Sequence, residues 1–309
     1  MVALVEDYLA HRRRMGFALR IDGARLQNFA RFADTSGHSG PITIDLVLRW
    51  ATQPSPRPRR FPARRLDPVR PFALYRAAFD PATEVPPRGI LGPARQRPVH
   101  HIYTQKEVAA LLAAANELAP ASGLRPATYA TLFGLLVASG LRVSEALRLS
   151  RADADLAAGL LTIRSTKFRK SRLVPLHPTT TAALRTYAIH RDRAVPRPTA
   201  ANFFTSHRGS ALPYGTVRTV FRELRARLGW NALTPRPRIH DLRHTFACRR
   251  LEQFYEAGLD ITPRVAALAT YLGHARVSDT YWYLTGTPEL LALATRRFEA
   301  LGEFSGGTR

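Results

Sequence analysis

Proline and glycine recur through PPRGILGPARQRP at residues 86–98, and no regular element survives such a run. Proline removes a backbone donor and fixes φ, while glycine adds freedom that a helix or strand must surrender. The stretch therefore divides the 309-residue chain into two folding parts. Just beyond it, Thr104 and Glu107 have the spacing of a capping box ahead of VAALLAAANEL, which predicts a helix start. The boundary falls there: residues 1–98, ending in a linker at about 86–98, and residues 99–309.

The first part reads as short helices. Val2, Leu4, Val5, Tyr8 and Leu9 form one apolar stripe, and Leu26, Phe29 and Phe32 a second. Ile44, Leu46, Val47 and Trp50 mark a third, and Leu66, Val69, Phe72 and Tyr75 a fourth, all at helical spacing. Between the last two, QPSPRPRRFPARR crowds five arginines among prolines. It reads as a solvated loop or as a contact to a phosphate backbone. In the second part a buried helix is expected around 127–139, stopped by Gly140. LLTIRSTKFRKSRLVPL alternates like two strands joined by a polar turn. Helices follow, and Thr287-Pro288-Glu289 opens a last one with an apolar face of Leu290, Leu291, Leu293 and Phe298.

The chain carries a formal net charge of +23. Residues 1–98 hold 17 Arg against 8 acids, and the rest holds 29 Lys+Arg against 15 acids, so both parts are basic, by +9 and +14. A surface of this kind attracts polyanions, nucleic acid foremost. Drift toward arginine contributes, since Lys106, Lys167 and Lys170 are the three lysines of the chain, and each is informative for that reason. Cys248 is the sole cysteine, which excludes an intrachain disulfide and a cysteine metal cluster and suits a reducing cytosol. The first residues lack the apolar stretch of a signal peptide, and no run approaches the roughly 20 apolar residues of a membrane span. A cytoplasmic protein is expected, nucleoid-associated when on DNA.

Four separated stretches carry chemistry. ASGLRVSEALRLS places Arg142 at a helix start with Glu145 one turn on. STKFRKSRLVPL places Lys167 at the tip of the predicted hairpin, and RIHDLRHTF gives His240 and Arg243 at i, i+3 near a helix N-terminus. LGHARVSDTYWYL gives His274 and, nine residues later, Tyr283. Singly each is weak. His240 and His244 lie at i, i+4, but Asp241 stands where the zinc motif His-Glu-x-x-His needs glutamate, so no metal is expected.

Together, in order and spacing, these stretches resemble the tyrosine site-specific recombinases, or phage integrases. The segments that carry the resemblance are GLRVSEALRL, TKFRKSRLVPL, HDLRHTFA and YLGHARVSDTYWYL, spanning about residues 138–284. The family implies a mainly α fold with a small β-sheet (α+β). Its catalytic domain would follow a helical core-binding domain, which residues 1–98 match by position and size alone. It implies cleavage and rejoining of DNA strands through a covalent 3′-phosphotyrosine, with no metal, ATP or other cofactor. Two arginines can hold the nonbridging oxygens of a pentacoordinate phosphorane by charge-assisted hydrogen bonds, and Arg142 and Arg243 are those assigned. By the resemblance Tyr283 is the nucleophile, His240 a proton acceptor and His274 a hydrogen-bond donor to the scissile phosphate. Lys167 would protonate the departing 5′ oxygen, with Lys170 its rival, because Thr166 and Phe168 stand where the family's hairpin is glycine-rich. Tyr281 and Tyr283 are two apart, so on a helix they diverge by roughly 200° and cannot both face one site.

Tyr271, Tyr281 and Trp282 are packing candidates, as is His244. Glu145 supports the arginines or is a solvated helix position. The partners implied are double-stranded DNA at a specific recombination site, further copies in a synaptic tetramer joined through the last helix, and possible partner recombinases. The alternatives are a relaxing type IB topoisomerase and a catalytically silent DNA-binding accessory protein.

Overall fold

The computed structural model describes residues 1–54, 61–92, 99–120, 123–164, 171–274 and 276–281, with 292 and 295. The chain divides into two compact units, Met1–Pro98 and Val99–Arg309. No described helix is long and apolar enough to cross a membrane.

The first unit contains α1 (Val2–Arg14), α2 (Arg20–Thr35), α3 (Ile44–Ala51) and α4 (Phe61–Ala77). The four apolar stripes close on one another: Val5 and Leu9, Leu26 and Phe29, Leu46 and Trp50, and Val69 and Phe72 are all buried in one cluster. Thr43 caps α3, its hydroxyl accepting from the Leu46 backbone N–H. The arginine-rich run divides: residues 55–60 lie outside the described residues, while Arg64 and Arg65 stand inside α4 with Pro68 and Pro71. The sequence reading ends the loop too late because it treats proline as a helix breaker. Arg65 instead caps the end of α3, donating to the Trp50 carbonyl at 2.9 Å.

The second unit is built around α6 (Leu124–Ser139). Tyr129, Leu132, Phe133, Leu135 and Leu136 bury it on several faces, as a helix apolar all round requires. Against it pack α5 (Gln105–Asn116), α8 (Pro178–Ala194) and α10 (Ile239–Glu256). The Thr104–Glu107 capping box forms, with Thr104 Oγ1 accepting from the Glu107 backbone and Glu107 from that of Thr104. Helices α7 (Val143–Arg148), α9 (Tyr214–Arg227), α11 (Ile261–Leu272) and α12 (Ser278–Tyr281) also belong to this unit.

Its sheet is antiparallel, β1 (Ala154–Asp155), β2 (Leu160–Ile163) and β3 (Arg172–Pro175), in that order. The two expected strands pair with Leu161 opposite Val174 and Ile163 opposite Arg172. The third, β1, is two residues long and leaves no periodic signal. The alternation buries Leu161, Ile163 and Val174 together. Cys248 sits in the α10–α11 cluster, its thiol pushed up to about 12 by burial and then by Glu252. It is a packing residue rather than a nucleophile.

Candidate active site

Two turns and one helix end meet. Helix α6 stops at Gly140 with φ +61, in the left-handed region that glycine tolerates. A Cβ there would stand 2.4 Å from Cδ1 of Phe246, so α10 can pass this close only to glycine. The turn leads to Arg142 at the N-cap of α7. Helix α11 stops the same way at Gly273, φ +66, and delivers His274.

Both arginines are anchored on main-chain oxygens. Arg243, 2% exposed on α10, donates Nη1 to the Gly140 carbonyl at 2.6 Å and Nη2 to the Leu272 carbonyl at 2.8 Å. Arg142 donates Nη2 to the Gly273 carbonyl at 3.1 Å and Nη1 to Glu145 Oε1 at 2.8 Å. Residues more than a hundred positions apart thus converge on the Leu272–His274 turn. Glu145 is 3% exposed, which decides between its two expected roles: it supports the arginines. Burial alone would raise its pKa, but hydrogen bonds and charge from Arg172, and then from Arg142, hold it at about 2.

The histidines are kept neutral. Arg243 Nη2 lies 2.9 Å from His274 Nε2. A guanidinium can only donate, so Nε2 accepts and Nδ1 carries the ring proton toward Thr280 Oγ1 at 2.6 Å. Desolvation, then Arg243, pushes His274 down to about 4. His240 is exposed as a residue, yet desolvation by the surrounding protein, and then Arg243, pushes it too to about 4. His244, 7% exposed, meets His240 edge-on at 5.0 Å and lies at about 3, chiefly through burial. Its packing role is as expected.

The sequence reading missed a second layer. His100 stacks on His244 with ring centroids 3.3 Å apart, and its Nδ1 lies 3.0 Å from Asp241 Oδ1. Arg238 grips both oxygens of Asp241, which is fully buried. Tyr103 donates its backbone N–H to Thr245 Oγ1 and its hydroxyl to the Arg238 carbonyl. His100, Asp241 and His244 bring one possible metal-ligand atom each within 4.8 Å. The Arg238 guanidinium already holds both oxygens of Asp241, so a cation stands where a metal would. Arg172 is the other missed residue. Its signal was strand alternation, which places it on the inward face with Val174.

Lys167 and Lys170, Trp282 and Tyr283, and the terminal segment from 287, apart from 292 and 295, lie outside the described residues, as does the side chain of Tyr281. Tyr271 is described: it stacks on Phe246 with centroids 5.6 Å apart, as a packing residue does.

Two arginines fixed around one turn make a cradle suited to the anionic oxygens of a phosphate. The model of the phage integrase family matches residues 102–289. The putative integrase/recombinase y4rB of Sinorhizobium fredii is 44% identical over 303 residues, 96% of each chain. Tyrosine recombinase XerC of Chlamydia trachomatis is 31% identical over 243 residues, 78% of this chain and 71% of its own. Among solved structures, the Tn1549 transposon integrase in complex with transposon right end DNA superposes with a TM-score of 0.70 at 16% identity, covering 97% of this chain and 99% of that one. The XerA recombinase gives 0.51 at 21% identity, over 96% and 97%. This chain belongs to the phage integrase family of tyrosine recombinases. It is a site-specific recombinase, an enzyme that cleaves and rejoins DNA strands.

Proposed function

We propose that the chain breaks one DNA strand by attack of the Tyr283 hydroxyl on a backbone phosphorus. The bond from phosphorus to the 5′ oxygen breaks, leaving a 3′-phosphotyrosine and a free 5′-hydroxyl. The reverse attack by another strand's 5′-hydroxyl rejoins the backbone. Because the ester bond is exchanged rather than hydrolysed, neither ATP nor a metal is required. Arg142 and Arg243 hold the nonbridging oxygens, Lys167 protonates the leaving oxygen, and His240 accepts the phenol proton.

The observation that carries this reading is the convergence of Arg142 and Arg243 on one turn, both anchored to main-chain carbonyls. Preorganised donors of this kind favour charge that develops during reaction, and losing one costs about 10²- to 10³-fold in rate. The histidines support it as well. Burial, and then the charge of Arg243, keeps them neutral, and an arriving phosphodiester offsets that positive charge. Their proton affinity then rises at the moment when His240 must take a proton and His274 must add one at Nε2 to donate to the phosphate.

The partner is double-stranded DNA, which suits the charge of +23, with residues 1–98 as a core-binding domain and 99–309 as the catalytic one. Recombination joins paired sites, so the working form is a tetramer on DNA, coupled through the terminal segment from Thr287. The λ integrase neighbour, a dimer bound to a COC′ core site with a TM-score of 0.60, supports assembly on DNA.

The test uses nicked duplexes tiled from the DNA flanking the gene. The wild type should give a protein–DNA adduct resistant to denaturation, and Tyr283→Phe should bind the same duplex without forming it. An adduct retained in Tyr283→Phe, or lost instead in Tyr281→Phe, would show the nucleophile to be misassigned.

A further inference from the structure

Arg172 belongs to none of the roles assigned above, yet it is among the most constrained cations described. Its place in β3 sends the side chain inward, opposite Ile163, and leaves it 11% exposed. Nη1 and Nη2 fork onto Glu145, at 3.2 Å to Oε1 and 2.9 Å to Oε2. Nε donates to the Tyr271 carbonyl at 2.7 Å. The guanidinium also lies flat against the Gly273 turn: a Cβ at Gly273 would meet Nη1 at 2.6 Å. The glycine of the Leu-Gly-His stretch is therefore required twice, for its left-handed φ and for the space this guanidinium fills.

Glu145 is thus shared. It accepts from the backbone N–H of Arg142 at 3.0 Å and from Arg142 Nη1 at 2.8 Å, while Arg172 takes both of its oxygens from the other side. A buried carboxylate held by one flexible partner could swing and take Arg142 with it. Held by two forks it has one position, and Arg142 has one as well. The same guanidinium ties β3 to the end of α11, so the base of the 164–171 connection, which bears Lys167, is fixed to the turn that bears His274.

We infer that Arg172 is a positioning residue for strand cleavage: acting through Glu145 and the Gly273 turn, it sets Arg142 and His274 in place before DNA arrives. The inference rests on the assignment of Arg142 and His274 to the scissile phosphate. It requires an arginine specifically. A planar fork satisfies two carboxylate oxygens and a carbonyl together, which the point charge of lysine cannot do.

The experiment compares wild type, Arg172→Lys, Arg172→Gln and Glu145→Gln/Arg172→Gln in single-turnover adduct formation on the nicked duplex that the wild type cleaves. Noncovalent affinity is measured in parallel on a Tyr283→Phe background. At saturating DNA, Arg172→Lys should slow adduct formation on the order of 10- to 100-fold, as displaced catalytic groups do, with affinity unchanged within about twofold. In Arg172→Gln the buried Glu145 loses its main counter-charge, so an acid limb absent from the wild type should enter the pH–rate profile. That limb should vanish in the double variant, which has no carboxyl left to titrate.

Wild-type rates in Arg172→Lys at saturation would overturn the inference, as would a loss confined to affinity. If Arg172→Gln fails to fold by circular dichroism, the lysine variant alone decides. A wild type that forms no adduct with any duplex would overturn the covalent phosphotyrosine reading on which the inference rests, a result distinguishable from normal cleavage by the Arg172 variants.

Discussion

Gly140 and Arg243 form a pair in which backbone and side chain depend on each other. The Gly140 carbonyl holds Arg243, and the missing Cβ lets Phe246 close over the turn. Alanine at 140 would combine a left-handed φ with a 2.4 Å clash, a loss of about 2–4 kcal/mol, read as a lower urea midpoint. Arg243→Lys would keep the charge but cannot reach the Gly140 and Leu272 carbonyls together. Cleavage at saturating DNA should fall by about 10²-fold or more, with affinity nearly unchanged. Equal loss in binding and cleavage would instead make Arg243 a general DNA contact. At this scale the sequence was most legible for residues whose chemistry is unusual. Arg142, Arg243 and His274, singled out by order and spacing, do meet at one turn. Arg172, His100 and Asp241 could not be singled out, since their importance lies in partners as far as 141 positions away, which no local pattern reveals.

The first turn of α10 shows how one element is made rigid enough to carry a site. Asp241 receives the Arg238 backbone N–H, the Arg238 guanidinium and His100. Burial would raise its pKa, but those contacts, His100 first, hold the carboxyl below its usual range. Asp241→Asn would weaken each charge-assisted bond and cost roughly 2–3 kcal/mol. It should also loosen the stack that places His240, so the cleavage rate falls further than the rate in Thr104→Ala. That variant removes a cap on α5, costs about 1 kcal/mol and should leave catalysis unchanged. Element types were readable wherever apolar periodicity was long, as in α2 and α6. They blurred where a helix contains proline, as in α4, and where a strand is too short to alternate, as in β1.

Over the whole molecule, pH and salt separate stability from binding. His240, His244 and His274 sit at about 4, about 3 and about 4 when folded, against about 6.5 unfolded. Below that value the unfolded chain binds more protons, so this contribution is complete above about pH 7 and is lost as pH falls toward 4. Glu145, depressed to about 2, adds a second loss at lower pH as the unfolded carboxyl protonates first. The urea midpoint should therefore be flat above pH 7 and fall steadily from 6.5 to 4; a flat profile across that range would contradict histidines held neutral in the folded chain. DNA affinity should drop steeply between 50 and 200 mM salt, by about 10³-fold or more if six or more phosphates are contacted. The cleavage rate at saturation should change little, because Arg243 is buried away from solvent ions.

The carbonyl anchors of Arg142 and Arg243 have a consequence for how such a chain can change over time. A salt bridge to a side chain is lost when its partner mutates. The oxygens of Gly140, Leu272 and Gly273 are present whatever residue occupies those positions, provided the chain path is kept. These anchors therefore do not depend on which side chains stand at the three positions, and they are vulnerable where the path itself is threatened, at the two glycines. A scan of every residue lining the site should find intolerant positions at the arginines, at Glu145 and at Gly140 and Gly273, while Leu272, fully buried, should accept only apolar side chains of similar size.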